Sequence, residues 1–281
     1  MKSYLQLYSD TCRSCSELIT KRYSTSFSMG IMAFAKPFRP PIYSIYGFVR
    51  FADEIVDTFH DHDKEQLLNE FREDTYKAIR QGISLNPVLH AFQEVVHRYN
   101  IDIDLIDAFL DSMEMDLYHN SYDSSMYDKY IYGSAEVVGL MCLKVFVDGD
   151  QTTYDSLKDY ARSLGAAFQK INFLRDIKSD YDFRERTYFP GVDFNHFTCE
   201  DKAAIEEDIQ KDFDHALIGI KKLPKGCRHG VYLAYKYYTA LFDKIKNLPS
   251  STIKETRVRV PDSRKVYYLF SSTLKNQLNL L

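Results

Sequence analysis

Long stretches of this chain repeat their apolar residues every three to four positions, the period of a helix packed on one side. Segment 104–118 aligns Ile106, Phe109, Leu110, Met113 and Leu117, with Asp104, Asp107, Asp111 and Glu114 on its polar back. Segment 154–168 aligns Tyr154, Leu157, Ala161, Leu164 and Phe168, and segment 203–220 aligns Ile205, Ile209, Phe213, Leu217 and Ile220. Segment 43–59, "YSIYGFVRFADEIVDTF", is apolar almost all round and predicts a central helix. Segment 169–180, "QKINFLRDIKSD", has a comparable apolar body in Ile171, Leu174 and Ile177. No stretch shows sustained two-residue alternation, and Pro and Gly punctuate sparsely, as in "KPFRPP" at 36–41 and "LPKG" at 223–226. The expectation is an all-α fold of eight or more helices in one domain spanning 1–281, with no low-complexity linker or internal repeat.

Composition narrows the function classes. Apolar residues make up 45% of the 281, enough for a sizeable core, and aromatics make up 15%, as 22 Tyr and 19 Phe without Trp, which favours an aromatic-lined interior. A net charge of −4 gives no basic footprint for nucleic acid. The five scattered cysteines read as reduced thiols in a cytoplasmic protein, and "CRSC" at 12–15 lacks nearby partners for a zinc site. No secretory signal and no run of about 18 apolar residues is visible, so the chain is expected to be soluble or to rest on a membrane surface.

The spacing D-x-x-x-D occurs at 53/57, 57/61, 107/111, 155/159, 176/180 and 208/212, so spacing alone carries little in so acidic a chain. The pairs at 107/111, 155/159 and 208/212 lie on polar backs and are expected to face solvent. Asp61 ends its helix in "HDHDKE". Two pairs differ. At about 100° per residue, Tyr46, Arg50, Asp53 and Asp57 share a narrow sector of an otherwise apolar helix. Gly165, Gln169, Asn172, Asp176 and Asp180 do the same on the second segment.

Burying an unpaired carboxylate is costly, so each strip needs partners. One answer is an ion-pair network through Arg50 and Arg175; the other is a divalent cation between the strips. Four aspartates against two arginines leave a surplus of negative charge. Carboxylate and amide oxygens with no His on either strip suit Mg²⁺ bridging to substrate phosphates. No nucleotide-binding glycine motif occurs, which leaves a diphosphate on something apolar.

Those segments, with several others in the same order, resemble the squalene/phytoene synthase family, and among its branches the bacterial phytoene synthases. "YSTSFSMG" (23–30) resembles the family's S-x-S-F element, "YGFVRFADEIVD" (46–57) its first aspartate motif and "YIYGSAEVVG" (130–139) its Y-x-Y-x-x-A-x-x-V-G motif. "LGAAFQKINFLRDIKSD" (164–180) resembles the second aspartate motif and "RERTYFP" (184–190) the element behind it, followed by "YTALFDKI" (238–245) and "TRVRVP" (256–261). Three departures stand out: Tyr23 where relatives often have His, Glu54 where many have Asp, and Ser179 where an acid is common.

The resemblance implies an isoprenoid-synthase helical bundle around a central cavity. It implies head-to-head condensation of two geranylgeranyl diphosphates, through a cyclopropyl diphosphate, to phytoene in carotenoid biosynthesis. The alternative is the C15 reaction of farnesyl diphosphate to squalene or dehydrosqualene. By the same resemblance Asp53, Asp57, Asn172, Asp176 and Asp180 hold Mg²⁺, with Mn²⁺ able to substitute, and Arg50 and Tyr130 join the aspartates in catalysis. Ser24, Ser26, Phe27, Tyr46, Arg50, Gln169, Asn172, Arg175, Arg186, Tyr188, Tyr238 and Arg257 bind substrate. Gly133 and Gly139, with Ala135 and Val138, are expected to let a prenyl tail run close to a helix backbone. Peripheral contact at the inner membrane face fits release of an oily product, and no membrane anchor favours the branch without NADPH. Two other readings stay open: a head-to-tail prenyltransferase or cyclase, which usually carries D-D-x-x-D, and a catalytically silent lipid-binding or assembly-factor relative.

Overall fold

The computed structural model describes residues 3–119, 121–184, 188–192 and 196–253, with side chains throughout except at 178–184 and 251. Twelve helices follow one another among these residues: α1 (Tyr4–Tyr23), α2 (Thr25–Met32), α3 (Arg39–Thr58), α4 (Lys64–Gln81), α5 (Pro87–Tyr99), α6 (Ile103–Tyr118), α7 (Ser124–Ile131), α8 (Val137–Phe146), α9 (Gln151–Arg184), α10 (Cys199–Lys222), α11 (Lys225–Lys246) and α12 (Ser250–Ile253). A 3₁₀ turn (Lys36–Phe38) leads into α3, and a π-helical turn (Tyr132–Glu136) joins α7 to α8. The expected all-α architecture is what forms.

Local chemistry explains the ends. Of the prolines that punctuate 36–41, Pro37 lies in the 3₁₀ turn and Pro40 and Pro41 sit in the first turn of α3, where a missing N–H breaks no intrahelical bond. Asp63 caps α4 by accepting from the Gln66 amide at 2.9 Å, and α4 ends on Gly82 at φ 66°. Thr198 and Asp201 form a reciprocal capping box at the start of α10. Segments 154–168 and 169–180 are parts of one 34-residue helix, α9, about 50 Å long at 1.5 Å per residue. No proline interrupts it, and its one interior glycine, Gly165, is tolerated because of what lies beside it.

Helix α3 is central, as its near-complete apolar surface predicts. Its Phe48 is fully buried, stacked on Phe92 of α5 at 4.0 Å between ring centroids and packed within 5.6 Å of Phe71 and 5.3 Å of Phe109. Helix α9 runs between α8 and α10. A Cβ added to Gly165 would come within 2.7 Å of the Ala135 carbonyl oxygen, so glycine lets two backbones touch there.

Two expectations need correction. The 208/212 pair is not simply a solvated face: Lys170 of α9, 8% exposed, donates to Asp208 and, at 2.8 Å, to Asp212. Burial raises the Asp212 carboxyl and the lysine opposes that rise. The polar back of α6 is likewise partly engaged, since Arg72 of α4 donates to Asp111 at 2.9 Å and to Glu114 at 3.1 Å. All five cysteines are free thiols, with Cys12 and Cys227 buried.

His90 is buried, with Nε2 2.9 Å from the Ser9 hydroxyl, and burial holds its imidazole below the ordinary value. The unfolded chain therefore binds that proton more readily than the folded protein, so stability is lost as pH falls through about 6.5. The thermal midpoint is expected to drop between about pH 7.5 and about pH 5.5, and His90→Gln to flatten part of that slope in calorimetry. Gly165→Ala is expected to cost about 1–3 kcal/mol in chemical denaturation, because the new methyl meets backbone rather than a movable side chain.

Candidate active site

A cavity of about 280 Å³ lies between α3, α8, α9, α10 and α11. Helix α9 supplies one wall between Leu157 and Asn172, through Leu157, Tyr160, Ala161, Leu164, Gly165, Phe168, Gln169 and Asn172. Helix α3 contributes Ile42 and Val49 opposite, and α8 contributes Val138, Gly139, Cys142, Leu143 and Phe146. The lining is apolar along the first part of α9 and turns polar at Gln169 and Asn172, one turn before Asp176. The two helices carrying the acid strips thus border one hollow, as their patterns predict.

Burial of Cys142 pushes its thiol up to about 12, so it stands in the wall as a neutral, unreactive group. Tyr238 of α11 closes the polar end: its ring stacks on Phe168 at 3.8 Å, and its hydroxyl donates to Asn172 Oδ1 at 3.3 Å. On the other side Phe27 stacks on Tyr46 at 4.8 Å, and Phe27 belongs to the lining. Burial raises both Tyr46 and Tyr238, so each stays a protonated donor at neutral pH. Tyr46 feels the charges of Arg50 and Asp53, while Tyr238 feels those of Arg175 and Asp176. Tyr238 also contributes to the rise of Tyr46, which puts the phenols of α3 and α11 near each other across the cavity end.

The arginines do not neutralise the aspartates one for one. Arg50 binds chiefly Glu54, through Nε at 3.1 Å and through Nη2, and reaches Asp53 only at 3.5 Å. Its guanidinium also lies 4.5 Å from the centre of the Tyr23 ring. Two of the departures from the family pattern, Tyr23 and Glu54, therefore meet on one arginine. Arg175 binds its neighbour Asp176 through Nε at 3.1 Å and through Nη2. Burial alone disfavours both guanidinium charges, and the adjoining carboxylates more than offset it. Arg50 thus serves the first acid strip and Arg175 the second, each holding one or two carboxylates of its own helix.

The donor set fits a hard divalent cation. Of the expected oxygen donors, Gln169 and Asn172 line the polar end, while Asp176 follows Asn172 by one turn of α9 and Asp53 and Asp57 follow the lining residue Val49 by one and two turns of α3; the set holds no imidazole or thiolate. Among the described residues no three acidic, His or Cys side chains converge tightly enough to cage an ion by themselves.

Some expected site residues lie elsewhere. Tyr130 is buried and donates to Asp116 Oδ2 at 2.8 Å, within a cluster where Tyr188 stacks on Phe173 at 4.0 Å. Among the described residues neither Tyr130 nor Tyr188 lines the cavity. Asp116 escaped the sequence reading, although it falls on the apolar side of α6, three residues after Met113. Gly133 faces α6 rather than the cavity, since a Cβ there would come within 2.3 Å of the Ala108 carbonyl oxygen. Gly139, Ala135 and Val138 do line the cavity. Ser24 caps α2 by accepting from the Phe27 amide at 3.2 Å, and Ser26 is half-buried on the same helix. The Asp180 side chain, Arg186 and Arg257 lie outside the described residues.

Comparison with known proteins gives this arrangement a lineage. The squalene/phytoene synthase family model matches residues 20–264. The chain is 27% identical to phytoene synthase 2, chloroplastic, of Solanum lycopersicum, over 86% of its own length and 83% of that protein's. It is 25% identical to the 15-cis-phytoene synthase of Synechocystis sp., over 92% and 84% respectively. A dehydrosqualene synthase crystal structure superposes with a TM-score of 0.79 at 19% identity, covering 96% of this chain and 98% of that one, a likeness that carries the fold. The cavity, the paired acid strips and a match over most of the sequence place this chain in the squalene/phytoene synthase family.

Proposed function

We propose that this protein condenses two geranylgeranyl diphosphates head to head to phytoene, releasing two diphosphates, as a prenyltransferase of carotenoid biosynthesis. The observation that carries the reading is the cavity: a long apolar channel whose polar end meets acid-bearing helices on both sides. Its length favours the C20 substrate over the C15 alternative. From Asn172 to Tyr160 the α9 wall rises about 18 Å. An extended C–C chain advances roughly 1.25 Å per bond for a bond of about 1.5 Å, so a geranylgeranyl main chain spans about 19 Å and a farnesyl one about 14 Å.

When bound, Mg²⁺ would supply Lewis-acid stabilisation of the negative charge that builds on the departing diphosphate. Asp53, Asp57, Asn172 and Asp176 are the described residues that would hold it. Arg50 and Arg175 present guanidinium groups beside the same place, with geometry suited to phosphate oxygens. Tyr238, a neutral donor beside Arg175 and Asp176, orients at the junction of polar end and apolar channel. Loss of diphosphate leaves an allylic cation, which the second substrate's double bond attacks to form a cyclopropyl diphosphate. Ionisation of that intermediate, rearrangement and loss of a proton give the hydrocarbon. Water would trap any of these cations, and the apolar walls from Leu157 to Phe168 exclude it. The aromatic faces of Phe27, Phe168 and Tyr238 offer a passing cation further stabilisation.

Among the described residues no helix is long and apolar enough to cross a membrane. Delivery of an oily product therefore points to contact with a membrane surface on the cytoplasmic side.

Incubating the protein with geranylgeranyl or farnesyl diphosphate and Mg²⁺, with and without NADPH, and extracting the products is expected to yield phytoene from the C20 substrate without NADPH. Exclusive turnover of the C15 substrate would replace this reading with the squalene or dehydrosqualene reaction. Asp53→Asn and Asp176→Asn are each expected to lower kcat by about 100-fold or more while keeping the helical circular dichroism signal. A near-normal rate for Asp176→Asn at saturating Mg²⁺ would remove the metal-holding role.

A further inference from the structure

Far from its polar end the cavity meets the seam between α9 and α10, and the residue standing at that seam is Tyr160. Its ring forms part of the lining, beside Leu157 and Leu223. Its other side faces polar groups. Lys222 Nζ donates to the phenol oxygen at 3.2 Å and lies 4.7 Å from the ring centre, and the His215 ring packs at 4.6 Å between centroids. His215 is fixed in turn, with Nδ1 2.8 Å from the Ser163 hydroxyl. A single side chain therefore separates the apolar channel from the charged groups on the outer side of these helices.

The ring fits this gap because of its neighbour on α10. A Cβ at Gly219 would fall 2.2 Å from the Tyr160 Cβ and 2.7 Å from its Cγ, so any larger residue there would displace the tyrosine. The position along the helix also has a meaning in length. Tyr160 lies about 18 Å below Asn172 along α9, close to the roughly 19 Å of an extended geranylgeranyl chain. A farnesyl chain of about 14 Å would stop a turn earlier, near Leu164.

We propose that Tyr160 is the stop that sets the longest prenyl chain this cavity accepts, a specificity-determining role that rests on the reading of the protein as a prenyl diphosphate condensing enzyme. The aromatic ring is the barrier, and Lys222 and His215 hold it upright from outside. A chain one isoprene unit longer than C20 meets the ring face; with the ring removed, it passes between α9 and α10 over Gly219.

The test is competition among C15, C20 and C25 prenyl diphosphates at equal concentration, with Mg²⁺, for wild type, Tyr160→Ala, Tyr160→Leu and Tyr160→Phe. Tyr160→Ala is expected to raise the kcat/KM ratio of C25 to C20 by about tenfold or more, Tyr160→Leu to raise it less, and Tyr160→Phe to leave it unchanged. Tyr160→Leu keeps an apolar filling, so it answers the question if the alanine variant does not fold. An unchanged ratio in a folded alanine or leucine variant overturns the proposal, as does a phenylalanine variant that shifts as far as alanine. Calorimetric binding of the same three diphosphates reads the length preference without turnover. If wild type binds them but does not condense them, the functional reading falls, and the binding ratio of the variants still decides the role of Tyr160. If wild type binds none of them, both fall.

Discussion

Helix α9 is squeezed on two sides and held apart from its neighbour on a third, and that asymmetry makes the rest of the molecule possible. Toward α8 the backbones touch at Gly165 and Ala135, and toward α10 they close on the Tyr160–Gly219 contact. Toward α3 a cavity remains. Packed interiors seldom leave such space, because each lining atom forgoes dispersion contacts. The tight seams on two faces hold the walls rigid enough for the third to stay open.

Electrostatics follows the same division. Lys170 is buried against Asp208 and Asp212 on the outer side of α9, fastening it to α10. Asp176 and Arg175 lie at the polar end, near Tyr238 and Asn172. On α3, Arg50 is drawn toward Glu54 and the ring of Tyr23, leaving Asp53 as its more distant partner. The longer acid at 54 thus takes over the arginine that would otherwise sit nearer the aspartate.

Much of this was legible in residue order. Apolar periodicity located α3, α6, α9 and α10, and the two helices that carry the acid strips both contribute walls to one cavity. What escaped depends on neighbours that a single helix cannot name. The pair at 208/212 looked like a solvated face, because its contact with Lys170 crosses from α9 to α10. Gly133 looked like room for a substrate tail, yet it is spent on α6 through the Ala108 carbonyl. Asp116 was readable as an acid on the wrong face of α6, but its tyrosine partners come from 122 and 130, beyond that helix.

The placement of Lys170 carries a consequence for how such a protein can diverge. Its ion pairs tie α9 to α10 from the far side, so side chains on the inner surface are spared that structural duty. A lineage can therefore resculpt the channel one residue at a time, for molecules of other sizes, while the clasp outside keeps the scaffold assembled.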